Sequence, residues 1–474
     1  MISKKQMFIN GEWRQGATSY ELKSPFSGEV VAHIPFSTKE DVLEAIEAAK
    51  KAREKMKALT VLERSQILGR VADLFEEQLE ECALILTQEN AKPLTSARGE
   101  ILRTIETYRF AAEEAKQLTG EMIPMDAAKG GKGKLGFTKR EPLGVIGAIT
   151  PFNFPFNLVA HKLGPAFAAG NTVVLKPASQ TPLSALKTAE IFESAGLPAG
   201  ALNVVIGRGG EVGDLLVTHP DIKLITFTGS LEVGLDIKAK SGLKKTTLEL
   251  GSNSAVIIDD AEDIQAIADR CVEGAFTYAG QVCISVQRIY IKKDLYETFS
   301  QAMLKTLEGW TIGNPSEETT NISALIQEKE AVRAEEWIRE AVQAGADIIF
   351  GGKRHGSIVE PTILVNTPAH VSINCNEAFA PLVVIHTYDQ FEEAISDVND
   401  SQYGLQAGVY TTSLEKAFQA IDKIEVGGVI INDIPSFRVD QMPYGGVKNS
   451  GTGREGIKYA MEEMTELKLA VFNL

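Results

Sequence analysis

A few residues at widely separated positions have the types needed for acyl chemistry. Cys283 sits in Gly280-Gln281-Val282-Cys283-Ile284, a glycine-introduced turn between a helical stretch and the apolar run Val286–Ile291. A thiol there is either a nucleophile or a small core hydrophobe. Glu249, in Leu248-Glu249-Leu250-Gly251, is a lone carboxylate among apolar residues 34 positions upstream. A desolvated carboxylate has its pKa raised towards the range of a useful base. Beside a reactive thiol it is the equipment for making and then hydrolysing a thioester. Asn153 lies in the proline-stiffened turn Thr150-Pro151-Phe152-Asn153-Phe154-Pro155. A rigid amide donor can stabilise an oxyanion; the alternative is a turn asparagine that satisfies its own backbone.

A second group suits a nucleotide. Phe227-Thr228-Gly229-Ser230 follows a strand pattern and opens a helix pattern, with Gly234 one turn later. Free N–H groups and the positive end of a helix dipole suit a phosphate. No Gly-Lys-[Ser/Thr] follows, so this is not a nucleotide-hydrolysing loop, and Gly207-Arg208-Gly209-Gly210 lacks the Gly-x-Gly-x-x-Gly spacing. A plain strand-to-helix turn is the other reading. Lys176 ends the apolar run Thr172–Leu175 and precedes Pro177-Ala178-Ser179. It is placed to reach ribose hydroxyls or a phosphate, unless it is an ordinary surface lysine.

The elements that must position these residues are legible as alternating patterns. Residues up to about Leu118 read as a short β region followed by helices, the first opened by a capping box at Ser37-x-x-Glu40 with Val42, Ile46 and Ala49 as its apolar stripe. From residue 144, apolar runs at Val145–Ile149, Thr172–Leu175, Leu202–Ile206 and Leu224–Phe227 alternate with helical stretches around 183–195 and 210–218. Strands apolar on both faces and separated by helices predict a parallel sheet covered on both sides, with ligands beyond the strands' carboxyl ends. A second alternation has strand candidates at Ala255–Ile258, Val286–Ile291, Ile348–Phe350, Leu382–Ile385 and Val429–Ile431. The Gly/Lys-rich turn Lys129–Gly133 with its flanks, and the tail Leu467–Phe472, fit neither unit. They are candidates for pairing with each other or with another subunit, or for a solvated surface hairpin.

Composition excludes several classes. The 474 residues allow about three domains. A net charge of −15 argues against a polyanion binder such as a nucleic-acid protein. Four dispersed cysteines without a Cys-x-x-Cys pair, and only 6 histidines, predict neither a metal site nor a disulfide framework. A reducing compartment, the cytoplasm, is the simpler expectation. Met1–Gln6 lacks the apolar core of a secretion signal, and the long apolar region Val145–Leu175 is broken by Asn, Pro, His and Lys, so no membrane association is expected.

Taken together and in this order, the motifs resemble those of the aldehyde dehydrogenase superfamily. The resemblance runs from Phe8-Ile9-Asn10-Gly11-Glu12-Trp13 to Pro443-Tyr444-Gly445-Gly446-Val447-Lys448-x-Ser450-Gly451, through Thr150–Asn153, Lys176–Ser179, Phe227–Ser230, Leu248–Gly251, Gly280–Cys283 and Glu377-Ala378-Phe379-Ala380-Pro381. It implies an α/β fold with a Rossmann-like cofactor domain (residues 1–120 and 141–250), a second α/β catalytic domain (251–435) and a small β oligomerisation arm (121–140 and 455–474). It also implies NAD or NADP as cofactor and a homodimer or homotetramer. Cys283 would attack the aldehyde, with Asn153 and the Cys283 N–H holding the oxyanion. Hydride transfer would leave a thioester, and Glu249 would activate the water that cleaves it. Glu377 and Phe379 would position the nicotinamide ribose and ring. Thr150, Pro151, Phe152, Gly209, Gly213, Phe227, Gly229, Ser230 and Gly251 would belong to the cofactor site.

Three departures stand out. Ser179 occupies a position where many NAD-preferring members carry Glu, which removes a repulsion against a 2′-phosphate and predicts that NADP is at least tolerated. Ser252 replaces a second glycine, a strain if that backbone needs positive φ. Phe152 replaces a common Trp. The stretch Ser436-Phe437-Arg438-Val439-Asp440 resembles lactaldehyde- and phosphonoacetaldehyde-type members more than succinate-semialdehyde ones. Arg438, with Arg103 or His161, would clamp a small polar or anionic aldehyde, unless Arg438 makes a structural ion pair. A coenzyme-A-acylating relative would lack the Glu249 base. A non-redox thiol hydrolase would leave Lys176 and Gly229-Ser230 unexplained, and a non-catalytic relative would not retain Cys283, Glu249 and Asn153 together.

Overall fold

The computed structural model describes residues 3–474; Met1 and Ile2, the start of the Met1–Gln6 stretch considered above, lie outside the described residues. Runs that are apolar on both faces become central strands. Val145–Ile149 and Thr172–Lys176 are buried at every position. With Leu202–Val204, Ile222–Thr228 and Lys245–Glu249 they form a parallel core in the order Leu202–Val204, Thr172–Lys176, Val145–Ile149, Ile222–Thr228, Lys245–Glu249. The chain begins this core in the middle, fills one side, then crosses to the other. The strand order therefore reverses between Val145–Ile149 and Ile222–Thr228, and a crevice opens beyond their carboxyl ends. Short antiparallel strands, Met7–Ile9 with Glu12–Arg14 and Gly451–Thr452, close the two edges.

A second sheet runs Asp347–Phe350, Thr362–Val365, Leu382–Tyr388, Arg288–Lys292, Ala255–Ile258, Gln406–Tyr410, Gly428–Ile431. All its pairs are parallel except the first. Two of its strands, Thr362–Val365 and Gln406–Tyr410, are additions to the sequence reading. The third sheet pairs the tail Thr465–Asn473 antiparallel with Lys134–Pro142, with Met122–Ile123 on the far side. The two orphan segments of the sequence thus pair with each other.

Two local expectations shift. The first long helix, Lys39–Ala58, is capped by Thr38 and Asp41 rather than by Ser37 and Glu40. Thr38 Oγ1 accepts the Asp41 N–H at 3.2 Å, and Asp41 accepts the Thr38 N–H at 2.7 Å. Ser37 is engaged elsewhere: its Oγ accepts the Ile206 N–H at 2.9 Å, and Ile206 returns its carbonyl to the Ser37 N–H. The same exchange ends the strand expected to reach Ile206 at Val204, because Ile206 bonds to the loop and not to the sheet. In the 210–218 stretch, Gly209–Gly213 forms a wide turn closed by the Asp214 N–H on the Gly209 carbonyl, and the helix proper is only Asp214–Thr218.

Chain polarity decides where chemistry can gather. The segments around Thr150, Ser179, Gly229 and Gly251 follow carboxyl ends of strands in the first sheet. Cys283 and Glu377 precede the amino ends of Arg288–Lys292 and Leu382–Tyr388 in the second. All six residues line one cavity. The rule of ligands beyond carboxyl ends thus holds for the first sheet and is inverted for the second.

Candidate active site

Glu249 is the last residue of Lys245–Glu249 and is only 3% exposed. Neither of its carboxylate oxygens has a hydrogen-bond partner among the described residues. Burial, with the nearby Glu455 charge, pushes its carboxyl well above the usual range, against the pull of Arg438 and Lys162. That is the environment of a base, since a carboxylate held by donors would be too weak to take a proton.

Cys283 is partly exposed and stands where two cavities meet. Its Sγ lies 3.1 Å from Tyr444 Oη. Burial pushes the thiol up to about 11, and the Tyr444 contact pulls it back. The loop before it is forced into an unusual path. Tyr278 and Ala279 sit at φ 50 and 53, left-handed values that cost such residues about 1–3 kcal/mol each. Gly280 follows at φ +69, where a Cβ would lie 2.2 Å from the Ala380 carbonyl oxygen, so glycine is required there. Tyr278 Oη anchors the bend on the Asn90 carbonyl at 3.1 Å. Among the described residues no acceptor takes the Cys283 backbone N–H.

Asn153 is buried and lines both cavities beside Cys283. Its Nδ2 donates one hydrogen to the Gln281 carbonyl at 3.0 Å, and its Oδ1 accepts the Phe154 N–H at 3.2 Å. The second Nδ2 hydrogen is left over. With the Cys283 N–H it makes a pair of free donors suited to an oxyanion.

Two residues that the sequence reading missed hold this loop. Lys92 Nζ, fully buried, donates to the Asn153 carbonyl at 2.7 Å and forms an ion pair with Glu100. It also lies 3.7 Å from the Phe154 ring centroid. Glu100 in turn accepts the Phe156 and Asn157 N–H groups at 2.9 and 3.2 Å. Those are free amides at the start of helix Asn157–Ala168, all of which is buried. One ion pair therefore fixes both ends of the Asn153 turn.

The larger cavity, about 1030 Å³, is lined by Thr150, Pro151, Phe152, Lys176, Ser179, Gly209, Phe227, Gly229, Ser230, Gly251, Glu377 and Phe379. Gly213 is not in its wall; it packs behind, 3.8 Å from the Lys176 stem at its would-be Cβ. Burial lowers the Lys176 ammonium to about 8. Among the described residues no side chain caps helix Leu231–Lys240 at Ser230, and Ser230, Leu231, Glu232 and Val233 line the cavity. Glu377 accepts the Ser252 N–H at 3.1 Å, and burial pushes it up to about 7. A Cβ on Gly251 would come within 2.5 Å of Glu377 Oε2, so a larger residue there would push the Glu377 carboxylate aside. Ser252 is absent from the left-handed residues, and the expected strain does not arise. Phe152 meets Phe379 edge-on, centroids 5.8 Å apart. The volume, the uncapped helix end, a lysine and a lone carboxylate fit a nicotinamide dinucleotide.

The smaller cavity, about 490 Å³, opens on the other side of Cys283 and is lined by Arg103, Phe154, Ser436, Arg438 and Tyr444 among others. Arg438 is 5% exposed at its side chain, pairs with Glu455 at 3.0 Å and lies over the Tyr444 ring, its Cζ 3.7 Å from the centroid. The ion-pair alternative for Arg438 is therefore real, although its buried Nε has no partner. Arg103 is the freer guanidinium, with one 3.5 Å contact to Asp440. His161 does not reach either cavity: it is fully buried, 3.0 Å from Asp440, and burial lowers its pKa. Lys162 and Arg438 share Glu455, which burial raises but the two cations bring down to about 2.

Comparison with known proteins agrees with this geometry. The model of the aldehyde dehydrogenase family matches residues 13–470. A 3-sulfolactaldehyde dehydrogenase of Priestia megaterium is 47% identical over 473 residues, covering 100% of this chain and 99% of that protein. Aldehyde dehydrogenase 21 of Physcomitrella patens, solved with the reaction product succinate, superposes with a TM-score of 0.98 at 40% identity, covering 100% and 99% of the two chains. A glyceraldehyde-3-phosphate dehydrogenase of Methanocaldococcus jannaschii complexed with NADP gives 0.93 at 38%, covering 97% and 100%. A thiol between two cavities, a partnerless buried carboxylate and motifs in register over the whole chain lead to one conclusion: this protein belongs to the aldehyde dehydrogenase family.

Proposed function

We propose that this enzyme oxidises a small anionic aldehyde to its acid, with NADP accepted alongside NAD. One observation carries the reading: Cys283 and Asn153 stand between a nucleotide-sized cavity and a smaller one whose lining includes Arg103 and Arg438. In this reading Lys176 and Ser179 hold the adenosine ribose, the amides after Ser230 face the pyrophosphate, and Glu377 with Phe379 places the nicotinamide. A nicotinamide held there would supply the hydride acceptor for the oxidation. Cys283 attacks the aldehyde carbon, and the free hydrogens of Asn153 and the Cys283 amide hold the resulting oxyanion. Glu249 takes the proton of the water that releases the acid. A coenzyme-A acceptor is disfavoured, because a partnerless carboxylate beside the thioester serves water and has no task in thiol transfer.

Arg103 is the residue we assign to the substrate's anionic group, backed by Arg438. Relatives of this chain act on 3-sulfolactaldehyde or hold succinate, and both carry a small anion. The test is steady-state kinetics of Arg103→Ala on aldehydes with and without a sulfonate or carboxylate. KM should rise at least tenfold for the charged aldehydes and little for neutral ones, as expected for a charge-assisted hydrogen bond of about 1.5–3 kcal/mol. Equal losses on both sets would refute the assignment.

The division into a cofactor domain (1–120 and 141–250), a catalytic domain (251–435) and an arm (121–140 and 455–474) is part of the same reading. So is self-association. Leu467, Leu469 and Phe472 on the edge strand of the arm are each more than half exposed, an apolar strand edge suited to a second copy. Free cysteines at 82, 271, 283 and 375 suit the cytoplasm.

A further inference from the structure

We propose that Tyr444 is a catalytic hydrogen-bond donor to the Cys283 sulfur, favouring the thiolate before it attacks the aldehyde and stabilising it as it leaves the acyl group. The proposal rests on the aldehyde-oxidising reading of the site and adds to it a residue for the sulfur, as distinct from the carbonyl oxygen.

Tyr444 is 2% exposed, and among the described residues its hydroxyl has one partner, Cys283 Sγ at 3.1 Å. A buried phenol without a partner would be costly, so the contact fixes the ring's orientation as well as the sulfur's. A thiol could donate to the phenol, but a thiolate has no proton. In the reactive form the direction is therefore forced, and the phenol donates. No other side chain among the described residues hydrogen-bonds the sulfur, and the oxyanion donors Asn153 and the Cys283 N–H are aimed at a different atom. Around the sulfur the wall is apolar: Ile284, Leu405 and Tyr444 pack together with Val282 and Cys283. A sulfur anion in such a wall gains more from one donor than it would in water.

The phenol is itself prepared. Its backbone is locked by reciprocal bonds, Tyr444 N–H to the Glu455 carbonyl at 3.0 Å and Glu455 N–H to the Tyr444 carbonyl at 2.7 Å. The Glu455 side chain then holds the Arg438 guanidinium, whose centre lies 3.7 Å from the Tyr444 ring centroid. A cation over the ring face is attracted to the π-electrons and withdraws density from the hydroxyl, which strengthens it as a donor. Arg438 is thus a polarising residue acting through Tyr444. The other influences on the sulfur have the expected signs: burial and the Glu377 and Glu249 charges raise the thiol, while the Tyr444 hydrogen bond and Arg438 lower it.

Tyr444 keeps its own proton throughout. In the attack, a sulfur lone pair forms the S–C bond and the carbonyl π pair moves to oxygen; the phenol's bond to sulfur weakens as negative charge leaves it. In deacylation, water oxygen bonds the acyl carbon, Glu249 takes the water's proton, and the C–S bond breaks with its pair going to sulfur. The hydrogen bond from Tyr444 strengthens in that step, so the leaving thiolate is stabilised where charge develops.

The test is the pH dependence of Cys283 alkylation by iodoacetamide in the nucleotide-free enzyme, followed by intact mass. In Tyr444→Phe the midpoint should move up by about one pH unit, with alkylation at pH 8 about tenfold slower, the loss expected for one hydrogen bond to a charged group. Turnover should fall about tenfold and the aldehyde KM change less than about twofold. Superimposable alkylation profiles would overturn the proposal, since a structural role alone would not move this midpoint in either direction. Should Tyr444→Phe not fold, wild-type enzyme grown with 3-fluorotyrosine takes its place: its more acidic phenols should move the midpoint down, and an unchanged midpoint refutes the proposal equally. Failure of the wild type to oxidise any aldehyde would refute the functional reading and leave the alkylation result to be judged alone.

Discussion

Replacing Glu249 by Gln separates two consequences of one buried carboxyl. The side chain is 3% exposed and both oxygens lack partners, so the substitution removes no hydrogen bond. It removes a base, and a base contributes about 10²–10⁴-fold to a proton-transfer step. Acylation needs no such base, so the first turnover should survive. Stopped-flow absorbance should show a burst of about one reduced nicotinamide per site, followed by a steady state slower by that factor. Mass spectrometry should find the acyl group on Cys283. Stability should move the other way. The folded-state pKa lies well above its ordinary value of 4.5, so the carboxyl's contribution is intact below that value and is lost as pH rises towards the folded pKa. Glu249→Gln should therefore be more stable than wild type at pH 8, by about 1–3 kcal/mol for the pKa shift that is removed with the buried charge, with the difference shrinking towards pH 5. Thermal denaturation at both pH values measures it. Loss of the burst, or a steady state within about threefold of wild type, would refute Glu249 as the hydrolytic base.

Asn153→Ala should lower turnover about 10²–10³-fold by removing an oxyanion donor, checked by single-turnover kinetics that show acylation as the slowed step. Lys92→Met leaves Glu100 buried without its cation and should cost about 3–5 kcal/mol by denaturant titration, whereas adding Glu100→Gln should recover part of that loss. Ser179→Glu should cut kcat/KM for NADP at least tenfold and spare NAD, because a carboxylate then faces the 2′-phosphate; a preference of the wild type for NAD above about a thousandfold (some 4 kcal/mol) would show that Ser179 does not decide the matter. Both reactive groups are raised, Cys283 to about 11 and Glu249 well above its ordinary range. Their active, deprotonated forms accumulate as pH rises, so kcat/KM should climb from about pH 6 to 9; a decline over that interval would contradict the assignment.

The sequence showed what local pattern and residue order can show. Continuous apolar runs located most of the central strands to within three residues, because burial on both faces leaves no polar alternation. Strands Lys245–Glu249, Thr362–Val365 and Gln406–Tyr410 escaped: the first opens with Lys245, Thr246 and Thr247 and so is not an apolar run, the second is four residues between Pro361 and Asn366, and the third begins with Gln406 and includes Gly408. The capping box slipped one residue because Ser37 has a stronger claim on it from Ile206, 169 positions away. The residues proposed for the mechanism stood out in the sequence because each lies in a short motif with an unusual type in it.

What the sequence concealed is the set of buried charges that hold those residues. Lys162 and Glu455 are 293 positions apart, and Lys92 reaches Asn153 across 61. Each reads as a surface charge on its own segment, and only the fold reveals the pairing. Arg438 is the sharpest instance. The sequence made it a substrate clamp, by analogy of charge. The structure gives its guanidinium to Glu455 and the Tyr444 ring, and its buried Nε has no partner among the described residues. A cation desolvated to this degree holds its position because its neighbours fix it, and removing one of them strands the other. Arg438→Ala would therefore disturb Glu455, Tyr444 and, through them, Glu249 and Cys283, so a loss of activity on every aldehyde is the expected outcome. Arg103, half-buried and held by one long contact, can be removed without that collapse. Selectivity for an anionic aldehyde must accordingly be read from Arg103, and Arg438 tested at the sulfur.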